Sequence, residues 1–209
     1  MPYSIEEIYG LREGDAAGKY RNATKIYNEM YQLYGNHFGN PENPNIVITE
    51  DSNSGYDFFC ELYPDKCDSA GGKSKVQTKI LGAKETKILA IVDGAAFGPE
   101  MQACMELINT SPKSISLYAP ESFEYLILKS GLVEVPKEIL EETWKYADSK
   151  KYISWEDYYT SELCERTRND VGQYSKKKLN GYYTTKGSIE KICKIFPWKL
   201  EYKHDYLGE

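Results

Sequence analysis

The sequence predicts an α/β protein: a three-layer core on a parallel sheet, with a helical segment before it and a helical subdomain after it. Three observations carry this. Short apolar, β-branched runs recur at 46–49, 88–92 and 114–118. Helical patterns separate them, at the spacing of right-handed βαβ units. Beyond Val135 the strand signals stop and amphipathic helical patterns take over.

The first segment, 1–42, reads as helix over 3–34 with a break at 14–18. Tyr20, Ala23, Tyr27, Met30 and Tyr34 recur at three- and four-residue steps along one apolar face. GNHFGNPENPN, at 35–45, is dense in Gly, Asn and Pro and marks a loop and a boundary.

The central domain is placed at 43–131. IVIT at 46–49 is a buried strand. SGYDFFCEL at 54–62 follows as a helix with a serine cap. A turn at Pro64-Asp65 and the Gly-rich SAGGKS lead into a helical stretch from Val76 to Leu81. ILAIV at 88–92 is an unbroken apolar run, the mark of a strand covered on both faces. A helix at 99–108, a strand at 114–118 and a helix at 121–128 complete the domain. In the subdomain at 132–209, PKEILEETWKYAD, SWEDYYTSELCERTRN and TKGSIEKICKIF are helices. Pro136 suits the first turn of the first of these, and Ser154 caps the second.

Composition narrows the function. The 209 residues carry a formal charge of −6, which argues against a protein that coats nucleic acid through clustered Lys and Arg. A local or metal-bridged nucleic-acid site stays compatible with it. The five cysteines form no CxxC pair and have no histidine nearby, so they read as reduced thiols rather than a zinc site or disulfide framework. The chain opens without a signal-like segment and has no membrane-length apolar run. A soluble, cytoplasmic protein is expected.

Chemistry gathers where an open parallel sheet places its sites, at the carboxyl ends of strands. Glu50-Asp51 directly follows IVIT, and Asp93 directly follows ILAIV. Carboxylates at neighbouring strand ends can converge on a hard cation such as magnesium, which in turn bridges phosphate oxygens. Between them lies Gly71-Gly72-Lys73-Ser74. Such a turn lets backbone N–H groups approach a phosphate, with Lys73 adding a point charge. Each part also has a plainer reading: Asp51 and Ser54 as helix caps, Gly71-Gly72 as a turn.

VITEDSNSGYDFF, SAGGKSKV and ILAIVDGAAFG, in that order, resemble the TOPRIM fold, and in particular the TOPRIM-like proteins related to the overcoming-lysogenization-defect nucleases. The resemblance spans about residues 43 to 130. It implies magnesium-dependent phosphodiester or nucleotide phosphoryl transfer, with nucleic acid or a nucleotide as substrate and a partner ATPase chain as a possible companion. Glu50 would match the family's general acid/base or metal-binding glutamate, and Asp93 the first aspartate of its DxD motif; Asp51 would join them at the metal. The second acid of that motif is Ala95 here, and Asp51 stands where the family often has glycine. Glu100 and Glu121 are nearby carboxylates that could substitute. The departure opens a second expectation, a catalytically degenerate binding or regulatory module.

Three other chemistries compete. Gly72-Lys73-Ser74 ends like a nucleotide-binding P-loop, but the position of its first glycine is Cys67. His37 and His204 are the only histidines, and neither sits in a motif for nucleophilic catalysis. Tyr158, Tyr159, Tyr182 and Tyr183, near the Lys176–Lys178 run, could stack bases; packing of the helical subdomain is the plainer account.

Overall fold

The computed structural model describes residues 43–148 and 151–198. The helix expected at 3–34, most of the loop after it, His37 and His204 lie outside these. Four strands form one sheet, all parallel: β1 (Ile46–Thr49), β2 (Cys67–Ser69), β3 (Lys87–Ile91) and β4 (Ser114–Tyr118), in the order β2-β1-β3-β4. The three strands anticipated from apolar runs are present. In β1, Val47 and Ile48 are fully buried, as are Leu89 and Ala90 in the adjacent β3. Covering on both faces is why these strands read as continuous apolar runs.

β2 was not anticipated. Cys-Asp-Ser is three residues long and none of them is fully buried, so it carries no periodic signal. It is a strand because its backbone pairs with β1, Val47 facing Cys67 and Thr49 facing Ser69.

The connecting helices cover both faces. α1 (Ser54–Leu62) packs on β1 and β2, while α2 (Val76–Gly82) lies against β1, β3 and α3 (Gly98–Thr110). A single 3₁₀ turn, Lys73–Lys75, leads into α2. α4 (Phe123–Lys129) joins α1, the rings of Phe58 and Phe59 meeting Phe123. Its cap is Ser122, whose Oγ accepts the Tyr125 N–H at 3.2 Å.

The stretch expected as one helix after Pro136 is two, α5 (Lys137–Glu141) and α6 (Trp144–Ala147). Thr143 sits at the break. Its buried hydroxyl lies against the carbonyls of Ile139 and Leu140 and the hydroxyl of Tyr159. Such back-bonding bends a helix.

α7 (Trp155–Arg166) begins as read, with Ser154 Oγ accepting the Asp157 N–H at 3.1 Å. α8 (Lys186–Cys193) is capped by Thr185. These two helices pack on α4, and their buried side chains join those of the sheet in one continuous core. Tyr158, Tyr159 and Tyr183 are buried in that core, which removes them as a base-stacking surface. Among the described residues no helix is long and apolar enough to cross a membrane.

Candidate acidic site at the strand ends

The strand order places the site. From β1 the chain moves to one side of the sheet and from β3 to the other, so β1 and β3 flank a topological switch point. Their carboxyl ends therefore open a crevice, the usual ligand position in doubly wound sheets. Glu50 directly follows β1, and Asp93 lies two residues beyond β3.

The pairing of the two strands continues past their ends. Glu50 donates its N–H to the Ile91 carbonyl at 2.9 Å. Its side chain then turns toward β3, where Oε2 accepts the Asp93 N–H at 3.1 Å. This contact brings both sequence-nominated acids to one rim. Together with Asp51, Ser54, Glu124 and Lys176 they line a small cleft, of about 30 Å³. That volume accommodates an ion or a water or two, given that one water needs roughly 10–15 Å³.

Asp51 serves the start of α1. Oδ1 accepts the Asn53 N–H at 3.1 Å and Oδ2 accepts the Asn53 side-chain amide at 2.5 Å. Ser54, expected as a cap, is the first helical residue. Its hydroxyl instead makes a short hydrogen bond with the Tyr174 hydroxyl, and its backbone N–H donates to the Lys176 carbonyl at 2.9 Å.

The glycine turn ties strand ends together. Gly71 and Gly72 have φ of 74° and 126°, and at the second value a side chain is strongly disfavoured. The Gly71 N–H donates to Ser69 Oγ at 3.1 Å and the Gly72 N–H to the Glu50 carbonyl at 2.7 Å. Two amides of the expected phosphate cradle are thus engaged within the chain, which also weakens the P-loop comparison. Lys73 is exposed and donates from Nζ to the Ala96 carbonyl at 3.0 Å, across to the loop after β3. Ser74 is exposed and outside the cleft lining.

The rim is electrostatically loaded. Burial pushes the Glu50 carboxyl up to about 7; the charges of Glu156 and Asp51 add to this, while the Asp93 N–H and Lys73 oppose it. Asp93 is held well above the usual carboxylate range by burial, then by Glu156, Glu124, Glu50 and Asp51. Lys176 is the counterweight. Burial opposes its charge, but the ion pair with Glu156 and the fields of Glu124 and Asp93 raise its pKa.

Four participants were not anticipated: Glu124, Glu156, Tyr174 and Lys176. Glu124 accepts a hydrogen bond from the Tyr174 hydroxyl at 2.8 Å, and Glu156 pairs with Lys176. The sequence marks Glu156 as an acid in a first helical turn and Lys176 as part of a charged run, both of which describe ordinary surface. The acids named as substitutes lie elsewhere. Glu121 is buried near Tyr159 and Lys129, Glu100 is on α3 near Cys104, and neither lines the cleft.

For a magnesium ion, the donors are of the right kind, hard carboxylate oxygens. Among the described residues, however, no three His, Cys, Asp or Glu side chains are grouped to hold a metal. Glu50 is turned onto a backbone amide and both Asp51 oxygens onto Asn53.

Fold and site together define a doubly wound α/β protein with an acidic crevice at its switch point. No protein-family model, curated protein or solved structure matches the chain.

Proposed function

We propose that the crevice carries out magnesium-dependent phosphodiester or nucleotide phosphoryl transfer, as the resemblance to TOPRIM-like nucleases implies. The observation that supports this reading is the hydrogen bond from the Asp93 backbone N–H to the Glu50 carboxylate, which ties two acid-bearing strand ends together at the switch point. Glu50, Asp93 and Asp51 are the acids that would face the cation, and Glu50 and Asp51 would first have to release the Asp93 N–H and Asn53. When bound, magnesium would neutralise phosphate oxygens and supply a polarised water. Glu50, with its acidity moved to about 7, is suited to hold or release a proton near neutral pH. Lys73, exposed at the rim, supplies a positive charge for a phosphate once it leaves the Ala96 carbonyl.

Titration calorimetry with magnesium or manganese, on wild type and Asp93→Ala, tests the cation site. Heat from wild type that is lost in the variant is expected; equal heats, or none from either, would reject it. Nuclease and nucleotide-hydrolysis assays with the same cations test the chemistry, with turnover expected in wild type and abolished in Glu50→Gln.

A specific observation favours a second reading, a binding or regulatory module that keeps the fold without turnover. Ala95, at the second position of the DxD comparison, is buried, and Asp51 is committed to Asn53. Turnover abolished by Glu50→Gln would eliminate this reading.

A further inference from the structure

Among the described residues, β2 is covered on one face only. α1 packs on β1 and β2, whereas α2 lies over β1 and β3 and merely flanks β2. Side chains along a strand alternate between faces, and Ile46, Asp68 and Ala70 share the α2 side. With Thr78, Lys79 and Gly82 of α2 they line an open groove of about 560 Å³ along the β2 edge of the sheet. Val76 and Ile80, on the inner side of α2, are buried in the core, so the groove wall is the outer flank of that helix.

The chemistry and position of the groove select its occupant. Lys79 is already paired with Asp68 at 2.6 Å, and Lys75 and Lys84 are exposed at the rim. Such a place lacks the buried, convergent polar groups of a small-molecule site. It suits an aromatic, uncharged face, whose rings take lysine stems and ammonium groups. The chain carries one close by. The described residues begin at Asn43, just ahead of Ile46 in the groove wall, and the Asn45 N–H is held by the Lys87 carbonyl at 2.9 Å. Upstream, helical winding of 20–34 puts Tyr20, Ala23, Tyr27, Met30, Tyr31 and Tyr34 on one side and Arg21, Lys25 and Glu29 on the other. With the tyrosine side buried, the charges face water. The loop at 35–45 lets such a helix, about 22 Å long, run back along the sheet from the amino end of β1.

We propose that residues 20–34 pack in this groove, tyrosine side inward, antiparallel to β1 and beside α2. The segment then covers the open face of β2 and extends the helical layer over the sheet edge, as layered α/β architecture favours. Thr78 and Gly82 leave it room, since a Cβ at Gly82 meets nothing within 4 Å. Neither the acidic crevice nor a cation enters into this packing.

Hydrogen exchange on the full chain, read by mass spectrometry, provides the test. In wild type the amides of 20–34 should exchange at least about tenfold more slowly than an unfolded peptide of that sequence. Gly82→Trp and Thr78→Trp place a large ring in the groove from exposed positions of α2, and Met30→Asp puts a charge on the inward side. Each should remove the protection at 20–34 while β1 and β3 keep theirs. Lys25→Asp, on the outward side, should leave it in place. No protection in wild type would overturn the proposal. So would protection that survives both tryptophan variants with β1 and β3 intact, which puts the segment elsewhere, or protection lost equally in Lys25→Asp. Protection that falls on dilution, together with a dimer in sedimentation, would mean that a second copy supplies the segment and would overturn packing within one chain.

Discussion

The Tyr174 hydroxyl donates to Glu124 Oε1 at 2.8 Å and shares a short hydrogen bond with Ser54, joining the C-terminal helical region to the first turn of α1. All three residues are buried. The contact orients one acid of the crevice and fixes the segment that carries Lys176. Tyr174→Phe keeps the ring and deletes the hydroxyl, leaving Ser54 and Glu124 without this partner. The variant should lose about 1–3 kcal/mol of stability, the usual cost of stranding buried polar groups. Urea unfolding measures it, and a loss under a few tenths would show that water replaces the hydroxyl.

Glu50 predicts a pH dependence. Its carboxyl is raised to about 7 in the fold, above the ordinary range near 4.5. Between these values the folded chain holds a proton that the unfolded chain has released. The stabilisation from the neutral acid is complete below about pH 4.5 and is lost as pH rises toward and through 7. At 1.36 kcal/mol per pKa unit, the cost at pH 8 is of order 3 kcal/mol. Glu50→Gln still offers an oxygen to the Asp93 N–H but cannot ionise. In metal-free buffer it should be more stable than wild type at pH 8 and nearly equal at pH 4.5, read from denaturation midpoints across the series. A constant difference from pH 4.5 to 8 would contradict this.

Gly72, at φ 126° and ψ 153°, occupies a region open essentially to glycine alone, whereas Gly71 at φ 74° lies near the left-handed region that asparagine tolerates. Nothing would obstruct a Cβ at Gly72, so any cost there is conformational. Gly72→Ala should therefore destabilise by about 1–3 kcal/mol, and Gly71→Asn by clearly less. Comparable losses in the two variants would mean that the turn rearranges.

Placing an acid at position 95, the second position of the DxD comparison, should not create a ligand. Ala95 is 1% exposed, and its N–H is bound to the Glu121 carbonyl. Ala95→Asp would put a carboxyl into a packed position beside an already acidic crevice. A loss of about 3–5 kcal/mol is expected, as for an uncompensated buried charge, with no gain in manganese affinity. Tighter manganese binding in this variant would show that position 95 can turn into the crevice.

The strands β1, β3 and β4 were legible because each is an apolar run buried on both faces. The placement of Glu50 and Asp93 followed, since a residue just past a buried strand has few places to go. β2 was not legible, because Cys67-Asp68-Ser69 is held by the backbone of β1 and carries no side-chain pattern. Thr143 broke a helix through a hydroxyl bond that periodicity does not register. Glu156 and Lys176 were hidden for a third reason. Their meaning depends on how distant segments meet, and locally they resemble any solvated pair. The glycine turn is plain in the sequence, but two of the amides expected at a phosphate go instead to Ser69 Oγ and the Glu50 carbonyl.

The bond between Ser54 and Tyr174 spans 120 positions of the chain. While the protein is being made, every strand of the sheet leaves the ribosome long before the segment that anchors against it. The contacts of Tyr174 with Ser54 and of Lys176 with Glu156 can therefore form only after translation has passed position 176.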